Sequence, residues 1–232
     1  IYRRVLDFLY PPVCPFCGQV QSKRKICGEC RKQLPYIEEP RCMKCGKPVD
    51  ETEMYCEDCR RHNLAFEQGR SVWLHKGKAA EAIYRFKFQN KRYYAELFAE
   101  EMAERCGEWI RKKQIDELIP VPLHPSKKRS RGFNQSELLA KELGRILSIP
   151  VESDVVLRVK KTLPQKILGN REREENLQNA FGVRRSWSPQ RTVLLIDDIY
   201  TTGNTIHRIS KVLKQAGVQK VYFLTISIGQ GL

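Results

Sequence analysis

Apolar positions along this chain follow two periods, and the switch between them marks out the elements. From about Ala79 to Lys113 they recur at helical spacing with a break near Asn90, which predicts two successive helices. A short apolar run from Glu117 to Val121 reads as a strand. Asn134 to Ser148 reads as a helix, with Asn134 as its cap and Glu137 in the capping-box position. Val151 to Val159 reads as another strand, followed by a polar, Lys/Arg-rich segment from Lys160 to Asn179. The continuous apolar run from Arg191 to Ile196 predicts a buried strand. A loop follows, then a helix from about Asn204 to Ala216 ended by Gly217, and a last strand from Val221 to Ile228. Strands alternating with helices predict an α/β fold, a mainly parallel sheet with helices on both faces. Ligands of such sheets bind at the carboxyl ends of the strands.

The start of the chain has a different organisation. Eight of its nine cysteines form four Cys-x-x-Cys pairs, Cys14/Cys17, Cys27/Cys30, Cys42/Cys45 and Cys56/Cys59. Repeated close pairs suit a tetrahedral metal better than a disulfide framework, and zinc is the expected ion. Gly18 and Gly46 each follow a pair and supply the permissive backbone of a metal knuckle. Sequential ligation places Cys14, Cys17, Cys27 and Cys30 on one ion and Cys42, Cys45, Cys56 and Cys59 on another. Interleaved ligation stays open. Four thiolates close each shell, so both zincs are expected to be structural. Cys106 falls in a helical pattern with Phe98, Met102 and Ile110, which predicts a buried core thiol.

The cysteines divide the 232 residues into a zinc-binding domain, 1–66, and an α/β domain, 67–232. They also change the charge balance. Residues 1–66 are formally +3, and eight thiolates with two divalent ions bring them to about −1. Residues 67–232 carry +12, of which +8 lies between Pro122 and Arg191. Such a basic excess implies a polyanionic partner, either nucleic acid or a multiply phosphorylated small molecule. No apolar run approaches the ~20 residues of a membrane-spanning helix. Residues Ile1 to Phe8 are interrupted by Arg3, Arg4 and Asp7, unlike a secretory signal.

The chemistry concentrates after the strand at Arg191 to Ile196. It ends in Asp197 and Asp198 and runs through Thr201, Thr202, Gly203, Asn204 and Thr205 into a helix. Gly203 lets backbone N–H groups converge, the Thr hydroxyls add donors, and the helix N-terminus adds partial positive charge, which together cradle a phosphate. The carboxylates beside it suit sugar hydroxyls or Mg²⁺, so the combined specification is a phosphorylated ribose. Tyr84 to Phe88 and Lys91 to Tyr94 interleave aromatics with Arg85, Lys87, Lys91 and Arg92, as a surface that stacks bases and tracks a backbone would. An alternative is that Phe86, Tyr93 and Tyr94 are core and the cations solvated.

This strand, acidic pair and Thr-Thr-Gly-Asn-Thr run resemble the phosphoribosyl pyrophosphate loop of type I phosphoribosyltransferases. The resemblance implies that Asp197 and Asp198 face the ribose hydroxyls, that Thr201 to Thr205 enclose the phosphate, and that Mg²⁺ accompanies the ligand. Arg129 and Arg131, in Lys127 to Gln135 after the strand ending at Val121, have the charge and donors for the pyrophosphate. With the cysteine-rich start and Arg-Gly-Phe-Asn-Gln, the whole chain resembles the ComF family of competence proteins, specifically the competence protein FC type. That family implies a phosphoribosyltransferase-type fold, a cytoplasmic location and the handling of single-stranded DNA in natural transformation. Other DNA-uptake or helicase proteins are further candidate partners. Three function classes remain open: a phosphoribosyl pyrophosphate-binding handler of single strands, an active phosphoribosyltransferase with an unidentified acceptor base, and a ligand-sensing regulator. Lys160 to Asn179 is a candidate hood over the ligand.

Overall fold

The computed structural model describes residues 11–158 and 180–229. The segment read as a hood lies outside them. Four parallel strands form the main sheet in the order β1-β6-β5-β2: β1 (Gly69–Leu74), β2 (Glu117–Pro120), β5 (Thr192–Tyr200) and β6 (Lys220–Ile228). The central pair is mostly apolar and buried along most of its length, as strands covered on both faces must be. Helices α3 (Gly77–Phe88), α4 (Tyr94–Lys112) and α6 (Gln135–Leu147) contribute to one core cluster, and α7 (Asn204–Gln215) to the other. Two short helices, α1 (Gly28–Gln33) and α2 (Glu57–Arg61), belong to the cysteine-rich module. The helix break lies where expected, with Asn90 in left-handed backbone at φ 52° between α3 and α4.

Several elements differ from the sequence pattern. β5 continues beyond Ile196 to Tyr200 because pairing with β6 continues through Asp197↔Thr225 to Tyr200↔Ile228, so both aspartates are strand residues. β1 has no counterpart in the predicted elements, since its six residues become a strand by pairing with β6. Within the described part of the Val151 to Val159 run, 151–158, only β3 (Val156–Arg158) is a strand, pairing antiparallel with β4 (Phe181–Val183) outside the main sheet, while Val151 bridges to Leu118. Asn134 caps α6 as expected, accepting from Ser136 N at 3.2 Å. Glu137 instead pairs with Lys141 at 2.7 Å and Lys128 at 3.7 Å.

The cysteine-rich module sits across the β1 edge of the sheet. Ile37 N donates to Val72 O at 3.1 Å and Leu74 N to Pro35 O at 2.8 Å, so residues 35–37 occupy an edge that would otherwise expose unpaired backbone. One half of the module packs into each core. Cys14, Phe16, Cys27 and Cys30 join the cluster containing α3 and α4, with Phe16 edge-on to Trp73 at 5.3 Å. Cys42, Cys45 and Phe66 join the other cluster, where Phe66 meets Phe223 edge-on at 4.9 Å.

Candidate functional site

The eight paired cysteines form two clusters, Cys14/Cys17/Cys27/Cys30 and Cys42/Cys45/Cys56/Cys59, each with its sulfurs within 4.8 Å of one another. Tetrahedral zinc with bonds of about 2.3 Å needs sulfurs about 3.8 Å apart. Cys17 and Cys27 stand 3.7 Å apart and Cys45 and Cys56 3.5 Å, so the donor sets fit such an ion in sequential order. Gly18 and Gly46 turn the chain after their pairs at φ 76° and 78°. Cys106 is a core thiol, and burial pushes it up to about 11.

Asp197 and Asp198 lie at the carboxyl end of β5. Ser136 Oγ, at the start of α6, donates to Asp197 Oδ1 at 2.8 Å, and Asp198 N donates to the same oxygen at 2.9 Å. Burial and the neighbouring Asp198 charge nevertheless push the Asp197 carboxyl up to about 7. Asp198 is buried, one oxygen 2.9 Å from Lys87 Nζ and the other without a hydrogen-bond partner among the described residues. Beyond β5, Thr201, Thr202, Asn204 and Thr205 are exposed at the N-terminus of α7. Gly203 holds φ 79°, and a Cβ there would lie 2.3 Å from the Tyr200 hydroxyl, so both conformation and space require glycine. The set of hydroxyls, helix N-terminus and adjacent carboxylates can take a phosphate and the hydroxyls of its sugar.

The segment Lys127 to Gln135 carries a short helix, α5 (Pro125–Arg131), closed by Gly132 at φ 80°. Arg131 packs its guanidinium 4.9 Å from the Phe88 ring centre, within the field of Asp198. Lys87, Phe88, Lys127, Ser130 and Arg131 line a cleft of about 360 Å³. Arg129 is exposed on α5 and is not part of that lining.

The four cations read as nucleic-acid contacts separate. Arg85 donates to the carbonyls of Pro15 and Phe16 at 2.9 and 3.3 Å, tying α3 to the first cysteine knuckle. Lys87 turns inward to Asp198. Arg92 donates to Asn90 Oδ1 at 2.9 Å and stacks on Phe133 at 5.1 Å, bracing the Gly132 turn. Lys91 is half-buried. Phe86 and Tyr94 are core, whereas Tyr84 and Phe88 are exposed, 58% and 60%, with ring centres 4.9 Å apart. Sequence reasoning missed Ser136 and the placement of Lys87 against Asp198. The position of Ser136 in the first turn of α6, beside the strand ends where ligands of such sheets gather, was the available signal.

A parallel α/β domain with an acidic strand end and a Thr/Gly loop, carrying on its sheet edge a module with two four-cysteine clusters, is the class these features define. The chain belongs to the competence protein F (ComF) family. Competence protein F of Haemophilus influenzae is 33% identical over 205 residues, spanning 86% of this chain and 89% of that protein. Competence protein ComFC of Bacillus subtilis is 29% identical over 85% of this chain and 81% of its own, and the DNA utilization protein YhgH of Escherichia coli K12 is 28% identical over 84% and 87%. Residues 5–60 match the family described as double zinc ribbon domain. Among solved structures, the purine phosphoribosyltransferase of Pyrococcus horikoshii overlaps 56% of this chain and 82% of its own, at 17% identity and a TM-score of 0.34. Among the described residues no helix is long and apolar enough to cross a membrane.

Proposed function

We propose that this chain binds phosphoribosyl pyrophosphate with Mg²⁺ at the end of β5 and handles single-stranded DNA on the adjoining face of α3 and α5, with two structural zinc ions holding the edge module. The observation that carries the reading is the Asp198 carboxylate, buried, with one oxygen unpartnered among the described residues, beside the exposed Thr/Gly loop. An unsatisfied buried acceptor costs stability until a donor reaches it, and a ribose hydroxyl is such a donor. In this reading the Thr201 to Thr205 loop holds the 5′-phosphate and Asp197 and Asp198 the ribose hydroxyls. Arg131, with Arg129 on the rim, takes the pyrophosphate. Mg²⁺ supplies charge neutralisation across the phosphates.

The DNA surface then differs in detail from the set Arg85, Lys87, Lys91 and Arg92. Arg85 and Arg92 brace the fold, and the exposed rings of Tyr84 and Phe88 offer base-stacking faces next to the Lys127/Arg131 cleft. Lys91, half-buried just beyond α3, remains a candidate backbone contact. Relatives named for competence and DNA utilization favour DNA as the polyanion. The ligand half is tested by calorimetry with Mg²⁺ and phosphoribosyl pyrophosphate. Asp197→Asn with Asp198→Asn, or Thr202→Val, is expected to weaken binding by about 1.5–3 kcal/mol per lost hydrogen bond to a charged group while leaving the melting transition in place. Unchanged affinity would reduce the loop to a helix cap.

A further inference from the structure

At the opposite end of the sheet, Glu117 opens β2 with only 4% of its surface exposed. One of its carboxylate oxygens accepts from Trp187 Nε1 at 3.4 Å, and the other is buried with no hydrogen-bond partner among the described residues. Beside it lies a cavity of about 300 Å³ lined by Glu117, Glu152, Asp154, Arg184 and Trp187. Asp116 is adjacent, its Oδ2 accepting from Thr192 N at 2.8 Å. Acidic groups therefore crowd one cavity in a chain of net charge +15. Arg184 is the basic residue of the lining, and it stands 3.4 Å from Asp154 with both side chains exposed, a pairing worth little in water.

A buried carboxylate with one unpaired oxygen is unstable when ionised, because nothing replaces the water it has lost. Burial, with Glu152 and Asp116 nearby, pushes Glu117 up to about 7. A bound metal is not what these acids are arranged for. Among the described residues, the groups whose donor atoms gather within 4.8 Å are the two cysteine sets alone. Spread carboxylates around an indole fit a cation whose charge is distributed over several N–H donors.

We propose that this cavity is a binding site for a small organic cation, an aliphatic amine or guanidine whose N–H groups bond the Glu117 carboxylate while Glu152 and Asp154 supply further negative charge. The site is remote from the proposed ribose and phosphate loop and stands or falls independently of it. Binding replaces the proton on Glu117, so affinity rises with pH through about 7.

The probe is agmatine, which carries both a guanidinium and an ammonium group, titrated calorimetrically into the full-length, zinc-loaded chain at constant ionic strength. Saturable binding is expected at pH 8 and weaker binding at pH 6. Glu117→Gln is expected to weaken it at least about tenfold, as loss of a charged hydrogen-bond partner does. Glu152→Gln with Asp154→Asn changes only exposed positions, so it keeps the test open if the Glu117 variant does not fold, and it too is expected to weaken agmatine binding. Absence of saturable binding at pH 8 overturns the proposal, as does an affinity that both variants leave unchanged.

Discussion

Asp197 is a carboxylate pushed up to about 7 by burial and by the charge of Asp198, despite the donated Ser136 hydroxyl. Ribose hydroxyls and Mg²⁺ both select its ionised form, so affinity for the Mg²⁺-phosphoribosyl pyrophosphate complex should rise between pH 6 and pH 8. Calorimetry across that range checks it, and Asp197→Asn should flatten the profile. The stability effect has the opposite sign. A carboxyl raised above its ordinary value of 3.8 contributes stability that is fully present below that value and lost as pH rises through about 7. Melting of the ligand-free protein should therefore lose this contribution towards pH 8, and the Asp197→Asn variant should not. Gly203 shows how directly one residue can be read. Its left-handed φ and the Tyr200 hydroxyl behind it leave no room for a side chain.

Helix α3 joins three regions of the molecule. Arg85 reaches the cysteine knuckle, Lys87 reaches Asp198, and Tyr84 and Phe88 face solvent one turn apart. Removing either exposed ring by Tyr84→Ala or Phe88→Ala should weaken single-strand binding by about 1–3 kcal/mol, as loss of a stacked base does, with little change in melting temperature. Anisotropy with a labelled oligonucleotide measures this, and wild-type affinity in both variants would remove α3 from the DNA surface. Elements whose signal is local were legible in the sequence: the α3/α4 break at Asn90, the Asn134 cap, and the run from β5 through the Thr/Gly loop into α7. The others depend on distant partners. β1 is a strand because β6 lies beside it, β5 is longer because β6 keeps pairing, and Lys87 reads as solvent-facing in the sequence because its aspartate arrives from the far end of the chain. The start of the Lys127 to Gln135 segment, to which the sequence pattern assigns no element, lies in a helix whose local signals are Pro125 at the first turn and Gly132 at the close.

At the scale of the whole molecule, the cysteine module and the α/β domain share both cores, so the boundary at residue 66 does not separate independent bodies. Metal analysis of fresh protein should give two zinc ions per chain. Cys14→Ser or Cys42→Ser should each remove about one ion and lower the melting temperature of the chain as a whole, because metal binding here is folding energy. A separate early transition confined to the module would contradict that coupling. The same contiguity joins the proposed ligand site to the proposed DNA face. Ribose donating to the free Asp198 oxygen leaves the Lys87 pair in place, while pyrophosphate competes with the DNA backbone for Arg131. The most direct measurement is anisotropy of a labelled single strand at low salt, with and without saturating Mg²⁺ and phosphoribosyl pyrophosphate. Binding that weakens at least about fivefold when the ligand is present is the predicted result. No strand binding at all, or an affinity the ligand leaves unchanged, would contradict the claim that one chain joins the two sites.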